Sequence, residues 1–342
     1  MGRFVLRRFV SGIFVVFVVI TVTFFLARVV PSDPALKWVG VHATDEQREE
    51  AIRQLGLDKP LMEQYFRYLS DLTHGNFGVS ILTHRLVADE LRIAIPNTLE
   101  LVFSSVTVAL AIGLVLGVYS ATRENTWFDH GARFISVSVI SIPGFWLALM
   151  LQILFSSRLR LLPLTGQIDT IIRLTSPVER VTGLPMFDAA ITGNWAALGS
   201  LARHYVLPVL TLSLFNLGLT ARMTRSMLLE VLNEDYIRAS RAYGIRERLV
   251  IWRYAMKNVA GTIVTVMALS AGYALVGTFV TESVFGWPGV GSYVAAAVVS
   301  LDYPAIIGVT IFSSVAYVLL NLMADIVIAL DPRVRLVEGG QS

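Results

Sequence analysis

Seven stretches of this chain run for 18 residues or more without an Asp, Glu, Lys or Arg: Phe9–Ala27, Leu101–Thr122, Phe134–Ser157, His204–Ala221, Asn258–Thr281, Ser283–Leu301 and Tyr303–Ala324. A helix needs about 20 mostly apolar residues to cross the hydrocarbon core of a bilayer. The 342-residue chain is 55% hydrophobic and 15% charged, whereas soluble domains carry about 25% charged residues. So few charges cannot cover a soluble surface, and the class that fits is an all-α, multi-pass protein with the lipid bilayer as its solvent. A net charge of +3 leaves no footprint for nucleic acid. Cysteine is absent, so disulfides, thiol nucleophiles and Cys-ligated metals are excluded.

The sixth run is not expected to span. Gly286, Pro288, Gly289 and Gly291 fall within six residues, a cluster that breaks a helix near its start. What remains, Ser292–Leu301, is about half a span. Irregular backbone at membrane depth survives only against protein or a wet cavity, so a re-entrant or surface segment at the outer mouth is expected. Six transmembrane helices remain. Lys and Arg in the short loops then set the orientation. Arg3, Arg7 and Arg8, then Arg123 and Arg133, eight basic residues from Arg222 to Lys257, and finally Arg333 and Arg335 fall on one side. That side is the cytoplasm, and both termini are expected there. The first run reads as a retained helix rather than a cleaved signal peptide, because it is long for one and no small-x-small site follows.

The expected organisation is a tail and first span at 1–30, an outer loop with short helices at 31–95, a core at 96–330 and a cytoplasmic tail at 331–342. In the outer loop, Thr44 and Gln47 have capping-box spacing, and the helix they start should stop at Gly56. Met62, Tyr65, Phe66, Leu69 and Leu72 keep helical spacing, which suggests an amphipathic helix lying on the bilayer or on the protein. The second outer loop, Arg158–Arg203, has little periodicity and reads as ordered coil.

No catalytic group or metal site is expected. Lys37, Lys59 and Lys257 are the only lysines and none follows a glycine, so there is no P-loop. The five histidines, His42, His74, His84, His130 and His204, show no i, i+4 pair. Inside the spans, Glu282 and Asp325 lie near the ends and are expected to be hydrated. Asn216, Ser104, Ser105, Thr107, Ser138 and Ser141 fit helix–helix hydrogen bonds or substrate contacts equally well.

The informative segment is cytoplasmic, Asn233 to Gly244, within a stretch at 226–257 that joins spans four and five. Asn233 is suited to N-cap a helix. Glu234 and Asp235 then fall in the first turn and Arg241 in the last, which complements the helix dipole. Gly244 is placed to end it in a left-handed conformation. Tyr236, Ala239, Ser240 and Tyr243 share one face, with bulky ends and a small middle. A second helix over about 246–258 leads into span five. Such an element fits docking to a cytoplasmic partner, or a basic loop on anionic lipid.

These residues resemble the inner-membrane permease subunits of peptide- and nickel-importing ABC transporters, and more narrowly the first, B-type subunit of the dipeptide/oligopeptide branch. The helix is similar to the family's cytoplasmic E-A-A-x-x-x-G loop, with Arg238, Ala239 and Ser240 at the E-A-A positions when aligned on Gly244. Met256-Lys257 stands where the general motif has Leu-Pro. The likeness continues through Pro31-Ser32-Asp33-Pro34, Leu55 to Leu61, Pro96-Asn97-Thr98-Leu99-Glu100-Leu101 opening span two, Ser141 to Trp146 in span three, Glu282 to Gly291, and Asp331 to Arg335.

The resemblance implies the type I ABC importer transmembrane fold in the cell inner membrane. It implies a homologous second permease, two ABC ATPase subunits that hold ATP and Mg, and an extracytoplasmic substrate-binding protein that delivers a di- or oligopeptide. No cofactor is implied in this chain. Asp235, Tyr236, Arg238, Ala239, Ser240, Arg241 and Gly244 become the ATPase-docking coupling helix. Glu282, Gly286, Trp287, Pro288, Gly289 and Gly291 become an outer gate or a purely structural cap. Nickel chelates and glutathione-like molecules are alternative substrates within the family. A secondary transporter or channel is the alternative outside it, but would call for intramembrane charges or inverted repeats.

Overall fold

The computed structural model describes residues 2–29, 34–40, 42–54 and 56–330. The motif residues Pro31, Ser32, Asp33, Leu55 and Asp331 to Arg335 lie outside the described residues. Along the chain, α1 (Gly2–Val29) leads to three short helices, α2 (Pro34–Val39), α3 (Asp45–Gln54) and α4 (Leu61–Thr73), and then to α5 (Val87–Thr122). Next come α6 (Trp127–Ser141) and α7 (Gly144–Leu151), the latter continued by a π-helical turn (Gln152–Arg158). α8 (Thr170–Thr175) and α9 (Pro185–Ile191) precede the long α10 (Trp195–Leu232). α11 (Asp235–Ala242) stands alone, and α12 (Glu247–Leu249) runs through a second π-helical stretch (Val250–Ala255) into α13 (Met256–Phe285). α14 (Val290–Ser300) and α15 (Tyr303–Leu330) complete the described chain.

Among the described residues, five helices are long and apolar enough to cross a membrane: within α1, α5, α10, the continuous stretch Glu247–Phe285, and within α15. A sixth crossing exists only if α6 and α7 are taken together, and they meet at 105°. The run Phe134–Ser157 is therefore not one straight span. Pro143 supplies no N–H to the helix, and the residue before a proline is driven out of the helical region. Ile142 accordingly sits at φ −84°, ψ 128°.

Two helices begin earlier than the charge-free runs indicate. α5 starts at Val87 and carries Pro96 inside it rather than opening there. α10 starts at Trp195, where Asn194 caps it by accepting from the Ala197 N–H at 3.1 Å. These two helices pack against each other along much of their length. A Cβ on Gly113 or Gly117 would lie 2.8 or 2.6 Å from the Cβ of Thr220 or Thr224, the small-residue contact that lets membrane helices approach closely. The break in the sixth run is present: α13 ends at Gly286, which adopts φ +59°, and α14 has 11 residues.

The short helices before α5 follow local sequence chemistry. Thr44 and Gln47 form the reciprocal capping box, at 3.0 and 3.3 Å, and Gly56 with φ +63° ends the turn after α3. One face of α4 packs on the protein. Tyr65 is buried against Phe24 and Phe25 of α1 and hydrogen-bonds Thr21 at 2.7 Å. Met62 and Phe66 stay 61% and 65% exposed. Asp325 of α15 pairs with Arg8 of α1 at 3.1 Å. Of the two roles open to Ser105, Ser141 and Asn216, helix–helix hydrogen bonding is not seen among the described residues. Each donates instead to the carbonyl four residues earlier in its own helix.

Candidate functional site

Two of the expected sites lie at opposite ends of α13. At its arginine-rich foot, α11 is held from beneath by Ile237. That side chain is fully buried with Leu228 and Leu232 of α10, Val250, Ala255 and Val259. Burying an isoleucine is worth about 1.5–3 kcal/mol. Arg241 fastens the other end of α11 by two hydrogen bonds to Glu247, at 2.7 and 3.2 Å. The Glu247 carboxylate raises the pKa of the guanidinium further. Gly244 has φ +73°. Its N–H reaches Arg241 O, and the Ile245 N–H reaches Ser240 O. This is a Schellman ending, which needs the left-handed conformation that glycine adopts freely.

Asn233 does not cap α11. It closes α10, with helical backbone at φ −91°, ψ −5°, and donates its amide to Leu229 O at 2.9 Å. An N-cap needs extended backbone, and that position falls to Glu234 at φ −68°, ψ 148°, which makes no side-chain cap. α11 is accordingly eight residues long. Its remaining face is open. Tyr243 is 86% exposed and Tyr236 is 40% exposed. Ala239 lies exposed between them, and Ser240 is half-buried with its hydroxyl turned back to Tyr236 O. Among the described residues, Asp235 and Arg238 pair only with each other, at 3.4 Å in solvent.

The segment from Glu282 to Gly291 is built the opposite way. Glu282 was expected to be hydrated, yet it is fully buried. Its carboxylate accepts from Thr98 Oγ1 of α5 at 2.6 Å and from the N–H groups of Gly291 and Ser292 at 2.6 and 3.1 Å. It thus fills the donor-rich N-terminus of α14, where negative charge is favoured. Carboxylate and backbone approach so closely that a Cβ on Gly289 would lie 2.4 Å from Glu282 Oε1. Trp287 is fully buried, edge-on to Tyr205 at 4.4 Å, and its Nε1–H donates to Asn97 O at 3.3 Å. Asn97 in turn donates to Pro288 O at 2.7 Å. Gly286, Trp287, Pro288, Gly289 and Gly291 therefore act as one latched turn against α5.

A third arrangement escaped the sequence reading. Asp129 of α6 is fully buried and accepts from Arg225 Nε and Nη2 of α10 at 2.5 and 2.7 Å, and from Ser120 Oγ of α5 at 2.5 Å. It ties three helices together near the arginine-rich end. Glu100 is also buried and accepts from Tyr205 OH and the N–H groups of Met186 and Phe187 at the start of α9. Glu100 borders a charge-free run, the one sequence signal available for it, and Asp129 lies in the short charged stretch between two such runs. Among the described residues, no group of three His, Cys, Asp or Glu side chains is placed to hold a metal.

The family described as the binding-protein-dependent transport system inner membrane component matches residues 113–336, and its N-terminal counterpart matches residues 1–102. The chain belongs to that family. This permease is 42% identical to the probable D,D-dipeptide transport system permease protein of Escherichia coli, over 92% of each chain. It is 36% identical to the di/tripeptide transport system permease protein of Pseudomonas aeruginosa, over 98% and 99% of the two chains. The glutathione transport system permease protein of Escherichia coli is 33% identical over 98% and 99%. The permease is thus a multi-pass inner-membrane subunit with the type I ABC importer transmembrane fold. Two of the permease motifs far apart in sequence, Pro96 to Leu101 and Glu282 to Gly291, meet in one hydrogen-bonded knot.

Proposed function

We propose that the permease forms half of the membrane pathway of an ATP-driven importer of short peptides, with its arginine-rich end in the cytoplasm. The pathway's other half is a second, homologous permease. Two ATPase subunits supply the ATP and Mg chemistry, and a binding protein delivers the peptide from outside. The observation that carries the reading is α11 itself, a short helix rigidly footed by Ile237, the Arg241–Glu247 pair and the Asn258–Tyr236 hydrogen bond, that leaves Ala239 and Tyr243 uncovered and Tyr236 partly so. A bare aromatic face on a fixed helix suits a cleft on a partner protein. The relatives that transport dipeptides and di/tripeptides support the choice of peptide. ATP closure of the ATPase pair would move the two docked helices together and switch the side to which the pathway opens. Glu282 and the turn through Gly291 are assigned to the outer gate, where they hold α14 against α5.

The test is purification of the complex in nanodiscs through a tag on the permease, with ATP-driven uptake of labelled dipeptide. Arg238→Glu, on the exposed side of α11, is expected to lower ATPase recovery several-fold while membrane insertion is unchanged. Equal recovery with wild type and variant, or uptake that proceeds without ATP, overturns the assignment.

A further inference from the structure

Three charge-free runs end beside one another in the fold, where Asp129 of α6 joins Ser120 of α5 and Arg225 of α10. The run in α5 closes at Thr122, the run in α6 opens at Phe134, and the run in α10 closes at Ala221. The first charges beyond them are Arg123, Arg133 and Arg222. Between these helices lies a cavity of about 110 Å³, lined by Arg133, Arg222 and Arg225 and by the apolar Leu116, Ala132 and Val137. The transport reading does not use it. Trp127 and Phe134 of α6 are 85% and 75% exposed, and tryptophan in a membrane protein favours the headgroup level of the bilayer. The arginines therefore stand where the hydrocarbon ends and the phosphates begin.

One carboxylate serves three guanidinium groups here. Asp129 accepts two N–H groups of Arg225, the Ser120 hydroxyl and the Asn125 N–H, and Arg133 approaches it at 3.4 Å. Two carboxylate oxygens offer about four acceptor sites, so none is left for Arg222. Arg222 is exposed and makes no ion pair or hydrogen bond among the described residues. Arg225 spends Nε and Nη2 on Asp129, and Arg133 spends Nη2 on His130 and Asp129, which leaves Nη1 of each. Glu124, the other acid of the loop, is exposed and is matched in charge by its neighbour Arg123. Three arginines against one aspartate leave two positive charges at the cavity. A cation at the edge of the hydrocarbon is costly until it meets an anion.

We propose that this cavity seats the phosphate of an anionic phospholipid from the leaflet on the arginine-rich side. Basic pockets between membrane helices suit such headgroups. Arg222 donates to the phosphodiester oxygens in the forked geometry that guanidinium adopts with phosphate, and Nη1 of Arg133 adds to it. The volume equals about three to four waters at about 30 Å³ each, room for a phosphate with its ester oxygens and too little for a nucleotide or a peptide. The apolar lining then has a use. Val137 lies one turn beyond Arg133 on the same face of α6 and is 55% exposed, so it meets the acyl chain where the chain leaves the glycerol. No carboxylate lines the cavity, so the cationic head of a zwitterionic lipid finds no partner, and phosphatidylglycerol is preferred to phosphatidylcholine. The bound lipid bridges α6 to α10 beside the Asp129 clamp. The site rests on the proposed function only for calling this leaflet cytoplasmic.

Binding is measured on the whole permease complex, stripped of lipid in detergent, with fluorescent phosphatidylglycerol as the probe. It is expected to bind at least about fivefold more tightly than the matching phosphatidylcholine. Arg222→Gln, which breaks no contact within the chain, should weaken it at least about fivefold. Ala132→Leu, which fills the cavity and leaves every charge in place, should do the same. Arg246→Gln, at an exposed arginine outside the cavity, should leave it unchanged. Equal affinity for the two lipids, or wild-type affinity in Arg222→Gln or in Ala132→Leu, overturns the site. So does an equal loss in Arg246→Gln, which would mark diffuse attraction to charge, or displacement of the probe by inorganic phosphate, which would mark a free-anion site. Phosphatidylglycerol binding absent while ATP-driven uptake is intact removes the site and leaves the transporter standing. Binding intact while uptake is absent does the reverse.

Discussion

On one turn of α5, Asn97, Thr98 and Glu100 together reach the Glu282–Gly291 segment, Tyr205 and the start of α9, so three separate parts of the chain are tied to three residues. At the arginine-rich end, α11 is fastened by one buried isoleucine, one exposed ion pair and a hydrogen bond from Asn258 to the Tyr236 hydroxyl, and Ala239 and Tyr243 on its outer face stay exposed. Buried carboxylates with several donors are costly to disturb, because each lost partner leaves a desolvated charge. An exposed helix face costs little to leave bare and is free to meet another protein. The molecule is stiff where its own segments meet at α5 and more open along α11, where the proposed ATPase contact would lie.

The largest effect is expected from Asp129→Ala, which asks whether the spans beneath α11 are clamped as firmly as the far end. Arg225 would lose its buried counter-ion, at a cost of about 3–5 kcal/mol. A thermal unfolding midpoint within a degree of wild type would break the comparison. Thr98→Ala comes next. It removes one donor to Glu282 and the acceptor of the Val290 N–H. About 1–3 kcal/mol should be lost, again read as a fall in Tm. Gly244→Val forces a branched side chain into φ > 0, costing about 1–2 kcal/mol locally. It should leave the folded permease in the membrane while ATP-driven uptake drops sharply, and wild-type uptake would sink the docking account.

The smallest effect concerns Asp188, just before α10. Burial alone would raise its carboxyl pKa. Hydrogen bonds from Thr182 Oγ1 and from the N–H groups of Thr182, Gly183 and Val181 outweigh that and leave it below the usual aspartate value. A depressed folded pKa stabilises the protein fully above the unfolded value of about 3.9 and loses that contribution as pH falls through the folded one. Wild type should therefore lose Tm more steeply than Asp188→Asn below about pH 4. Parallel curves would show that the clamp is energetically silent.

What was legible in the sequence was what local chemistry decides. The Thr44–Gln47 box, the turns at Gly56 and Gly244 and the break at Gly286 each depend on a few neighbouring residues, and each is present. The latches were not legible. Glu282 finds Thr98 184 positions away and Asp129 finds Arg225 96 positions away, so burial reversed the hydrated environment expected for Glu282. The bend at Pro143 was within reach, since the rule that split the sixth run applies to Ile142-Pro143-Gly144 as well. Asn233 was misassigned because its composition suits a cap while the long helix before it had not yet ended.

The stretch from Glu247 to Phe285 is one continuous helix of 39 residues, or about 58 Å at 1.5 Å per residue. Glu247 at its foot grips α11, and Glu282 near its tip grips the turn to α14. Such a rod is a lever arm. A tilt of about 5° at the foot carries the tip roughly 5 Å over that length, further than any hydrogen bond there can stretch. On the proposed reading, small displacements of α11 would arrive at Thr98 and Gly291 as a choice between hydrogen bonds kept and hydrogen bonds lost.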